Sequence, residues 1–366
     1  MSARIHKITM PKWGLSMQEG KINGWLIKEG ERVRPGTEVI EVESDKIAGA
    51  VEATVEGLLR RRVAQEDEVL PVGALLGVVA EADVPEAEID AFIAEFAAAF
   101  VPGEEAAGEV EAGPRIVEVD GRRLAYVVRG EGGEPLLLIH GFGGDKNNWL
   151  FNLEALAATR TVYALDLPGH GESDKAVADP SAAGMAAVVL GFMDTLGLAQ
   201  AHLVGHSFGG AVALALARQA PQRVRSLSLI ASAGLGPEID AEYLRGFVAT
   251  NSRNELKRLA QRLFADPELV TRSLVDDLLK YKRLDGVGEA LRAIADSLLD
   301  GDRQRLAPAS GGLQVPVRII WGAEDRIIPA AHAQTLGAAA EVHVLPGKGH
   351  MVMMEAPGEV NRLLAG

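Results

Sequence analysis

Residues 201–219, AHLVGHSFGGAVALALARQ, decide the fold of the larger part of this chain. A short apolar run ends in Gly205-His206-Ser207-Phe208-Gly209, and an apolar pattern of helical length follows. A strand, tight turn and helix of this kind hold a serine in strained backbone geometry with its hydroxyl projecting, because small residues on both sides let strand and helix approach. The sequence predicts Ser207 as a nucleophile and His206 as a residue that lines its pocket.

Five further apolar runs accompany this turn and predict a mostly parallel sheet with helices on both faces. They are residues 135–140, 161–166, 224–230, 315–321 and 341–345. Open sheets of this class place functional residues at the C-terminal ends of their strands. A helical insertion from about 236 to 313 is expected to form a lid.

Two candidate catalytic residues follow the last two predicted strands. Asp325 comes just after 315–321, and His350 comes just after 341–345. Serine, acid and base in this chain order fit the fold class. We expect His350 to take the proton from Ser207 and Asp325 to hold the imidazole, with Glu324 as the competing acid.

A glycine-rich turn, His140-Gly141-Phe142-Gly143-Gly144, closes the first of these strands. Such a turn can aim a backbone N–H at a developing oxyanion. We predict that the N–H groups of Phe142 and Phe208 form the oxyanion hole. His140 is expected to stabilise the turn rather than to act as a base.

The first 80 residues have a different character. Short Val, Ile and Leu runs broken by Gly and Pro predict a small all-β domain. Residues 21–44 resemble residues 54–81, with Gly24 matching Gly57 and Pro35 matching Pro71. Two modules this small would complete one core by packing face to face as a flattened barrel. Their junction contains Lys46, where such a barrel would present a hairpin turn.

Residues 81–114 read as an acidic linker, since no Lys or Arg occurs between Arg62 and Arg115. One amphipathic helix is predicted within it, because five apolar residues fall on one helical face: Ile89, Phe92, Ile93, Phe96 and Phe100. Two interpretations are open. The helix either docks on a partner or on the second domain, or it folds back on its own chain.

Composition bounds the function. A chain of 366 residues suits two domains. The sequence has no Cys, which excludes disulfides, a thiolate nucleophile and cysteine-based metal sites. The net charge of −14 argues against a nucleic-acid partner. Apolar stretches fall short of the roughly 20 residues that cross a bilayer, and the N-terminus lacks a secretory pattern, so we expect a cytoplasmic protein.

Residues 4–80 resemble lipoyl domains. MPKWGLSMQEGKI is similar to their first strands, and ESDK is similar to their attachment turn. The resemblance implies that Lys46 carries lipoic acid through an amide bond. Biotin-carrier domains share the fold but typically place Met beside the acceptor Lys, so Asp45 favours a lipoyl group.

Residues 115–366 resemble the α/β-hydrolase superfamily through HGFGG, DLPGHGESD, GHSFGG, GAEDRIIP and GKGH. In that family the loop from Asp166 to Asp174 has a structural role. The lid carries the basic residues Arg253, Lys257, Arg258 and Arg262. They are either solvated helix faces or a recognition site for the phosphates of coenzyme A.

The whole arrangement resembles the dihydrolipoamide acetyltransferases of bacterial acetoin-cleaving (acetoin dehydrogenase) systems. From the two domains together we expect an acyl group on dihydrolipoyl-Lys46 to pass through Ser207 to coenzyme A, and the resemblance implies that this group is acetyl. It also implies a multienzyme complex with a thiamine-diphosphate-dependent acetoin-cleaving component, a flavin-dependent dihydrolipoamide dehydrogenase and a lipoate-attaching enzyme. The H-x-x-x-D-G motif of the 2-oxo acid dehydrogenase acyltransferases is not matched, since Lys175 follows Asp174. Their cage-like core is therefore not implied.

Three functions stay open at this stage. The first is the acyltransferase with Ser207 as covalent nucleophile. The second is a serine hydrolase that cleaves an ester, a lactone or a carbon–carbon bond and carries an accessory lipoyl domain. The third is a lipoyl carrier and scaffold whose triad is idle.

Overall fold

The computed structural model describes residues 4–11, 17–34, 36–44, 48–53, 55–101, 114–305 and 312–365. The chain divides into two compact units, Met1–Glu111 and Ala112–Gly366. Within the described part, every helix is too short or too polar to cross a bilayer.

The first unit contains two four-stranded sheets whose neighbouring strands are antiparallel. The strands are β1 (Ile5–Thr9), β2 (Glu19–Trp25), β3 (Arg32–Val33), β4 (Glu38–Glu43), β5 (Ala48–Glu52), β6 (Gly57–Arg62), β7 (Val69–Pro71) and β8 (Leu75–Ala80). Their orders are β1-β8-β6-β3 in one sheet and β5-β4-β2-β7 in the other. This all-β unit confirms the fold class predicted for the N-terminal part.

The two halves of the sequence repeat exchange strands. β3, from the first half, pairs with β6 of the second half, with Val33 opposite Gly57. β7, from the second half, pairs with β2 of the first, with Val69 opposite Lys21. Each sheet therefore contains strands from both halves, and neither half can form a complete sheet or core by itself.

Helix α1 (Glu86–Ala99) packs on the first unit. Its Ile89 is fully buried, in one cluster with Val78 and Val84. All six residues of β8 are buried, although alternate residues of a strand point to opposite faces. On one face α1 contributes to this burial, since Leu75, Val78 and Ala80 form one buried cluster with Ile89. The apolar face of the predicted helix thus folds back on its own unit.

The second unit contains an eight-stranded sheet in the order β18-β17-β14-β13-β11-β12-β10-β9. Its strands are β9 (Arg115–Val119), β10 (Arg122–Arg129), β11 (Leu136–Ile139), β12 (Val162–Leu165), β13 (Ala201–His206), β14 (Val224–Ile230), β17 (Val317–Gly322) and β18 (Glu341–Leu345). A separate hairpin pairs β15 (Leu299–Asp300) with β16 (Arg303–Gln304). β11 to β14, β17 and β18 pair in parallel, and β9 and β10 pair antiparallel, which confirms the predicted fold class.

Helices cover this sheet and form the insertion. They are α2 (Leu150–Ala157), α3 (Ala182–Thr195), α4 (Phe208–Gln219), α5 (Ala241–Ala249), α6 (Arg253–Gln261), α7 (Arg272–Lys282), α8 (Val287–Leu298), α9 (Val352–Glu355) and α10 (Pro357–Ala365). Short 3-10 turns span Lys146–Trp149, Pro221–Arg223, Pro267–Leu269, Ala330–Gln334 and Gly337–Ala339. Helices α5 to α8 lie between β14 and β17 in the chain, within the segment expected to form the lid.

Candidate active site

Ser207 stands at the junction of β13 and α4. Its backbone has φ 51° and ψ −116°, a left-handed conformation that costs free energy for a residue with a side chain. Glycines allow the turn to close: a Cβ on Gly205 would lie 2.4 Å from the oxygen of Gly209, and a Cβ on Gly209 would lie 2.3 Å from the oxygen of Ile139. The local sequence therefore sets the serine in the geometry expected of a nucleophile elbow.

His350 and Asp325 form a buried pair. The Nδ1 of His350 lies 2.8 Å from Oδ2 of Asp325, and both side chains are almost completely buried. Because a carboxylate accepts, Nδ1 carries the proton and Nε2 is the basic nitrogen of the ring. The competing acid, Glu324, instead accepts a hydrogen bond from the backbone N–H of Gly347.

The Asp325 carboxylate is fixed by three further donors. Its Oδ1 accepts from the backbone N–H groups of Ile327 at 2.8 Å and Ile328 at 3.0 Å. Its Oδ2 accepts from the indole N–H of Trp321 at 3.0 Å. This network holds the carboxylate in one orientation, so it can orient His350 and stabilise an imidazolium there.

Ser207 and His350 line one cavity of about 80 Å³. Most of its wall is apolar and comes from α5, α6 and the turn that follows it, α7, α9 and the loops at the strand ends. The wall includes Tyr243, Leu244, Phe247, Leu263, Phe264, Leu274 and Met354. In the described structure Ser207 Oγ makes no direct hydrogen bond with His350. This is common in ligand-free sites, where such contacts tighten when substrate binds.

The backbone N–H groups of Phe142 and Phe208 face no protein acceptor within the described residues. Both residues line the cavity beside Ser207. The loop that carries Phe142 is fixed by its neighbour, since the Gly143 N–H donates to Nε2 of His170 at 3.2 Å. Two unpaired backbone donors beside a serine hydroxyl have the chemistry to bind an oxyanion.

Two neutral histidines support this loop. The rings of His140 and His170 meet edge to face with centroids 4.8 Å apart. His140 accepts a hydrogen bond from the N–H of Leu167, which suits the turn-stabilising role expected of it. Burial lowers the pKa of His140, and burial and the nearby His140 hold the pKa of His170 well below its usual range. An uncharged His170 can keep accepting from Gly143.

The basic residues of α6 and of the position after it divide into two groups. Arg253 pairs with Asp276, and Arg262 pairs with Asp240 at 2.9 Å, so these two guanidinium groups are engaged within the protein. Lys257 and Arg258 are exposed on α6. Arg253 and Arg262 are therefore paired within the protein, whereas Lys257 and Arg258 are solvated.

Lys46 lies outside the described residues. The strands on either side of it are described: β4 and β5 pair antiparallel with Glu43 opposite Ala48, and β5 is at the edge of its sheet. In the sequence, Lys46 falls between these two paired strands.

Sequence reasoning missed two features of the cavity. One is the contact between Phe142 and Phe247 of α5, whose rings meet edge to face at 5.8 Å. The other is the bond from Gly143 to His170. The DLPGHGESD motif signalled a structured loop around His170, but only the folded chain shows what that loop holds.

Two family models match the chain. The alpha/beta hydrolase fold family covers residues 134–357, and a biotin/lipoyl family described as biotin-requiring enzymes covers residues 6–79. Fold and site thus define a class of protein in which a biotin/lipoyl-type carrier domain is joined to an α/β-hydrolase-fold domain.

Full-length relatives narrow this class. The chain is 55% identical to the dihydrolipoyllysine-residue acetyltransferase component of the acetoin cleaving system of Pseudomonas putida, over 98% of this chain and 97% of that protein. It is 49% identical to the component with the same name from Cupriavidus necator, over 100% of this chain and 97% of that protein. The chain belongs to this family of acetoin-cleaving-system acetyltransferase components.

A solved structure matches the second unit. A meta-cleavage product hydrolase from Pseudomonas fluorescens is 27% identical, with a TM-score of 0.63, over 70% of this chain and 97% of that chain. The carrier unit therefore distinguishes this chain from a protein that consists of the hydrolase fold alone.

Proposed function

We propose that this chain moves an acetyl group from a lipoyl thioester on Lys46 to coenzyme A, with Ser207 as the covalent nucleophile. One observation carries the proposal: Ser207 and the His350–Asp325 pair meet at one cavity in a chain of an acetyltransferase family. The alternative in which the triad is idle is less well supported. Holding Ser207 at a positive φ costs free energy, and an idle triad would give this strain no purpose.

The lipoyl group supplies a thiol that carries the acetyl group as a thioester on a long arm. The residues around Lys46 fit such a group. Glu43 lies opposite Ala48 where β4 and β5 pair, and β5 is the edge strand of its sheet. Tethering raises the effective concentration of the thioester at any site the arm can reach.

In the first half-reaction, Nε2 of His350 accepts the Ser207 hydroxyl proton as Oγ attacks the thioester carbonyl. The N–H groups of Phe142 and Phe208 hold the oxyanion. The carbon–sulfur bond then breaks, and His350 gives its proton to the leaving sulfur. The acetyl group is left as an ester on Ser207.

In the second half-reaction, the thiol of coenzyme A gives its proton to His350 and attacks the acetyl ester. The bond from carbon to Ser207 Oγ breaks, and His350 returns the proton to Oγ. Asp325 stabilises the imidazolium in both halves. No electrons are exchanged. The apolar wall supports transfer over hydrolysis, since it disfavours water beside the acetyl ester.

We further propose a cytoplasmic complex. Its members would be a thiamine-diphosphate-dependent acetoin-cleaving component, a flavin-dependent dihydrolipoamide dehydrogenase and a lipoate-attaching enzyme. Support comes from the relatives, which are named as components of an acetoin cleaving system. The first partner would load the acetyl group, and the second would reoxidise the dithiol.

The test uses the full chain, lipoylated, reduced and acetylated, and follows acetyl-CoA. We expect Ser207→Ala to slow transfer by about 10³-fold or more. Ser252→Ala is the control, because Ser252 is exposed and caps nothing with its side chain. Wild-type transfer by Ser207→Ala would refute the nucleophile, and acetate in place of acetyl-CoA would establish the hydrolase.

The attachment site has its own test. Intact-mass measurement of protein from lipoate-replete cells should show one lipoyl group, and Lys46→Ala should remove it. Lys28→Ala, an exposed lysine of the same unit, should keep the lipoyl mass. A lipoyl mass retained by Lys46→Ala would place the cofactor elsewhere.

A further inference from the structure

Glu355, the last residue of α9, connects two segments of the chain that border the cavity. Its Oε1 accepts a hydrogen bond from the backbone N–H of Gly349 at 2.9 Å, and its Oε2 accepts one from the backbone N–H of Ala265, also at 2.9 Å. Gly349 immediately precedes His350, and Ala265 immediately follows Phe264, which lines the cavity. One carboxylate therefore bridges the loop of the base and the wall of the cavity.

The two segments also pack directly on each other. We call residues 347–351 the His350 loop and residues 263–265 the wall segment. A Cβ built on Gly349 would lie 2.6 Å from the backbone nitrogen of Ala265, so no side chain fits between the two backbones. Movement of the wall segment is therefore felt by the His350 loop.

Hydrogen bonds hold both flanks of His350 to the wall segment. On one flank is the bond from Gly349 to Glu355, and on the other the backbone N–H of Met351 donates to the backbone oxygen of Leu263 at 3.1 Å. Burial raises the pKa of Glu355, and the two N–H donors oppose this shift. Because a carboxylate accepts more strongly than a carbonyl oxygen, the bonds to Glu355 are the strongest of these contacts.

The catalytic base needs exact placement. Ser207 Oγ and His350 make no direct hydrogen bond in the described structure, so a small shift must complete the triad when a ligand binds. Asp325 holds Nδ1 of the His350 ring, but this bond does not fix the position of the loop relative to the cavity wall. A misplacement of about 1 Å can slow a reaction by about 10²-fold.

We propose that Glu355 is a positioning residue for proton transfer, which fixes the His350 loop to the wall segment and so places Nε2 of His350 relative to Ser207 and the leaving group. The inference rests on the proposed function, in which His350 takes the Ser207 proton and gives it to the leaving group. Glu355 is not among the residues that line the cavity, so it acts through His350.

The experiment measures acetylation of Ser207 in the full-length protein with two esters that share the acetyl group. Phenyl acetate has the more basic leaving group and depends more on the proton from His350 than p-nitrophenyl acetate does. Stopped-flow detection of the first turnover gives the acetylation rate constant and the half-saturating ester concentration. The ratio of the two rate constants, phenyl acetate over p-nitrophenyl acetate, cancels any loss of folded protein.

Two substitutions separate the length of the side chain from its charge. Glu355→Gln keeps the length, but its N–H₂ group cannot accept from a backbone N–H. Glu355→Asp keeps the charge, but it is one methylene shorter and cannot reach both donors. Glu324→Gln is the matched control, because Glu324 is exposed and accepts from Gly347 of the same loop at 3.1 Å, with no bond to the wall segment among the described residues.

We expect both Glu355 variants to slow acetylation by phenyl acetate about tenfold or more, and acetylation by p-nitrophenyl acetate less, so that the ratio falls about threefold or more. The half-saturating concentrations should stay at the wild-type values, because the residues that contact the ester are unchanged. Glu324→Gln should keep the wild-type ratio. A purely structural role for Glu355 would lower stability and leave the ratio unchanged.

A wild-type ratio in both Glu355 variants, or an equal fall in Glu324→Gln, would overturn the inference. Failure of the proposed function gives a different result. If acetyl-Ser207 forms but never passes to coenzyme A, the transferase proposal fails, while the ratio still decides the role of Glu355. If Ser207→Ala releases both phenols at the wild-type rate, Ser207 is not the nucleophile and both proposals fail.

Discussion

Lys146 and Asp166 form an ion pair inside the second unit, with Nζ 2.9 Å from Oδ2 and side chains that are 1% and 0% exposed. The same carboxylate accepts from the backbone N–H groups of Lys146, at 2.7 Å, and Glu172, at 2.9 Å. The pair therefore joins the segment that follows the Phe142 loop to the loop that contains His170.

Breaking this pair should destabilise the second unit. Lys146→Met leaves Asp166 buried without its counter-charge, and we expect the free energy of unfolding to fall by about 3–5 kcal/mol. Urea unfolding would measure it. Lys280→Met, which breaks an exposed pair with Asp277, is the control and should cost about 1 kcal/mol or less. Equal losses in the two variants would contradict the structural role given to the buried pair.

The stability of the second unit should decrease below pH 6.5. Burial lowers the pKa of His140, His170 and His206 from 6.5. Below this pH the unfolded chain takes up protons that the folded chain does not, so each histidine lowers the free energy of unfolding by up to about 1.4 kcal/mol per pH unit. Desolvation and the Asp166 charge raise the pKa of Asp145 to about 6, which opposes the trend below that pH.

Urea unfolding at pH 7.5 and at pH 5.5 would measure this dependence. His170→Gln removes one of the three histidines. The free energy of unfolding should therefore fall less between pH 7.5 and pH 5.5 in this variant than in the wild type, and the difference should equal the contribution of one histidine. If the variant and the wild type lose the same stability, His170 is not neutral in the folded protein.

Phe247 should limit the size of the acyl group. It lines the cavity, packs against Phe142 and has the ammonium of Lys282 4.8 Å from its ring centroid. Phe247→Leu opens space beside the oxyanion loop, so we expect kcat/KM for p-nitrophenyl butyrate relative to the acetate to rise about tenfold. Val248→Ala, a change at the next residue, which does not line the cavity within the described structure, should leave this ratio unchanged.

Helix α1 should contribute to the stability of the carrier unit. Ile89→Ala removes a fully buried side chain and should cost about 2–5 kcal/mol. Hydrogen exchange of the β8 amides in the full chain would detect the loss separately from the second unit. Glu95→Ala, on the exposed side of α1, is the control. Unchanged protection of β8 in Ile89→Ala would mean that the helix adds nothing to this unit.

Local sequence predicted the features that depend on near neighbours. The serine turn is decided by the glycines on either side of Ser207. Asp325 and His350 each follow a strand whose apolar run is visible in the sequence, so parallel pairing of β17 and β18 places them at one edge of the sheet. These positions follow from chain order and strand direction alone.

Features that depend on distant packing could not be predicted. The apolar stripe of α1 shows that something covers Ile89, but not that β8 does so. Phe142 and Phe247 belong to different elements, and only the packing of α5 brings their rings together. His206 lines the cavity as predicted, but its Nε2 donates to the His350 carbonyl, a bond that no pattern around residue 206 reveals.

The crowded turn at Ser207 limits the substitutions that this chain can tolerate. A Cβ at Gly205 or Gly209 would collide with backbone atoms, and one at Gly210 would lie 2.2 Å from Oγ of Ser232. Mutational drift or a directed-evolution library that samples these positions will return inactive or unfolded chains. The protein can therefore gain activity toward new acyl donors and acceptors by substitutions in α5 to α8 and in the cavity wall. The turn that holds the serine stays unchanged.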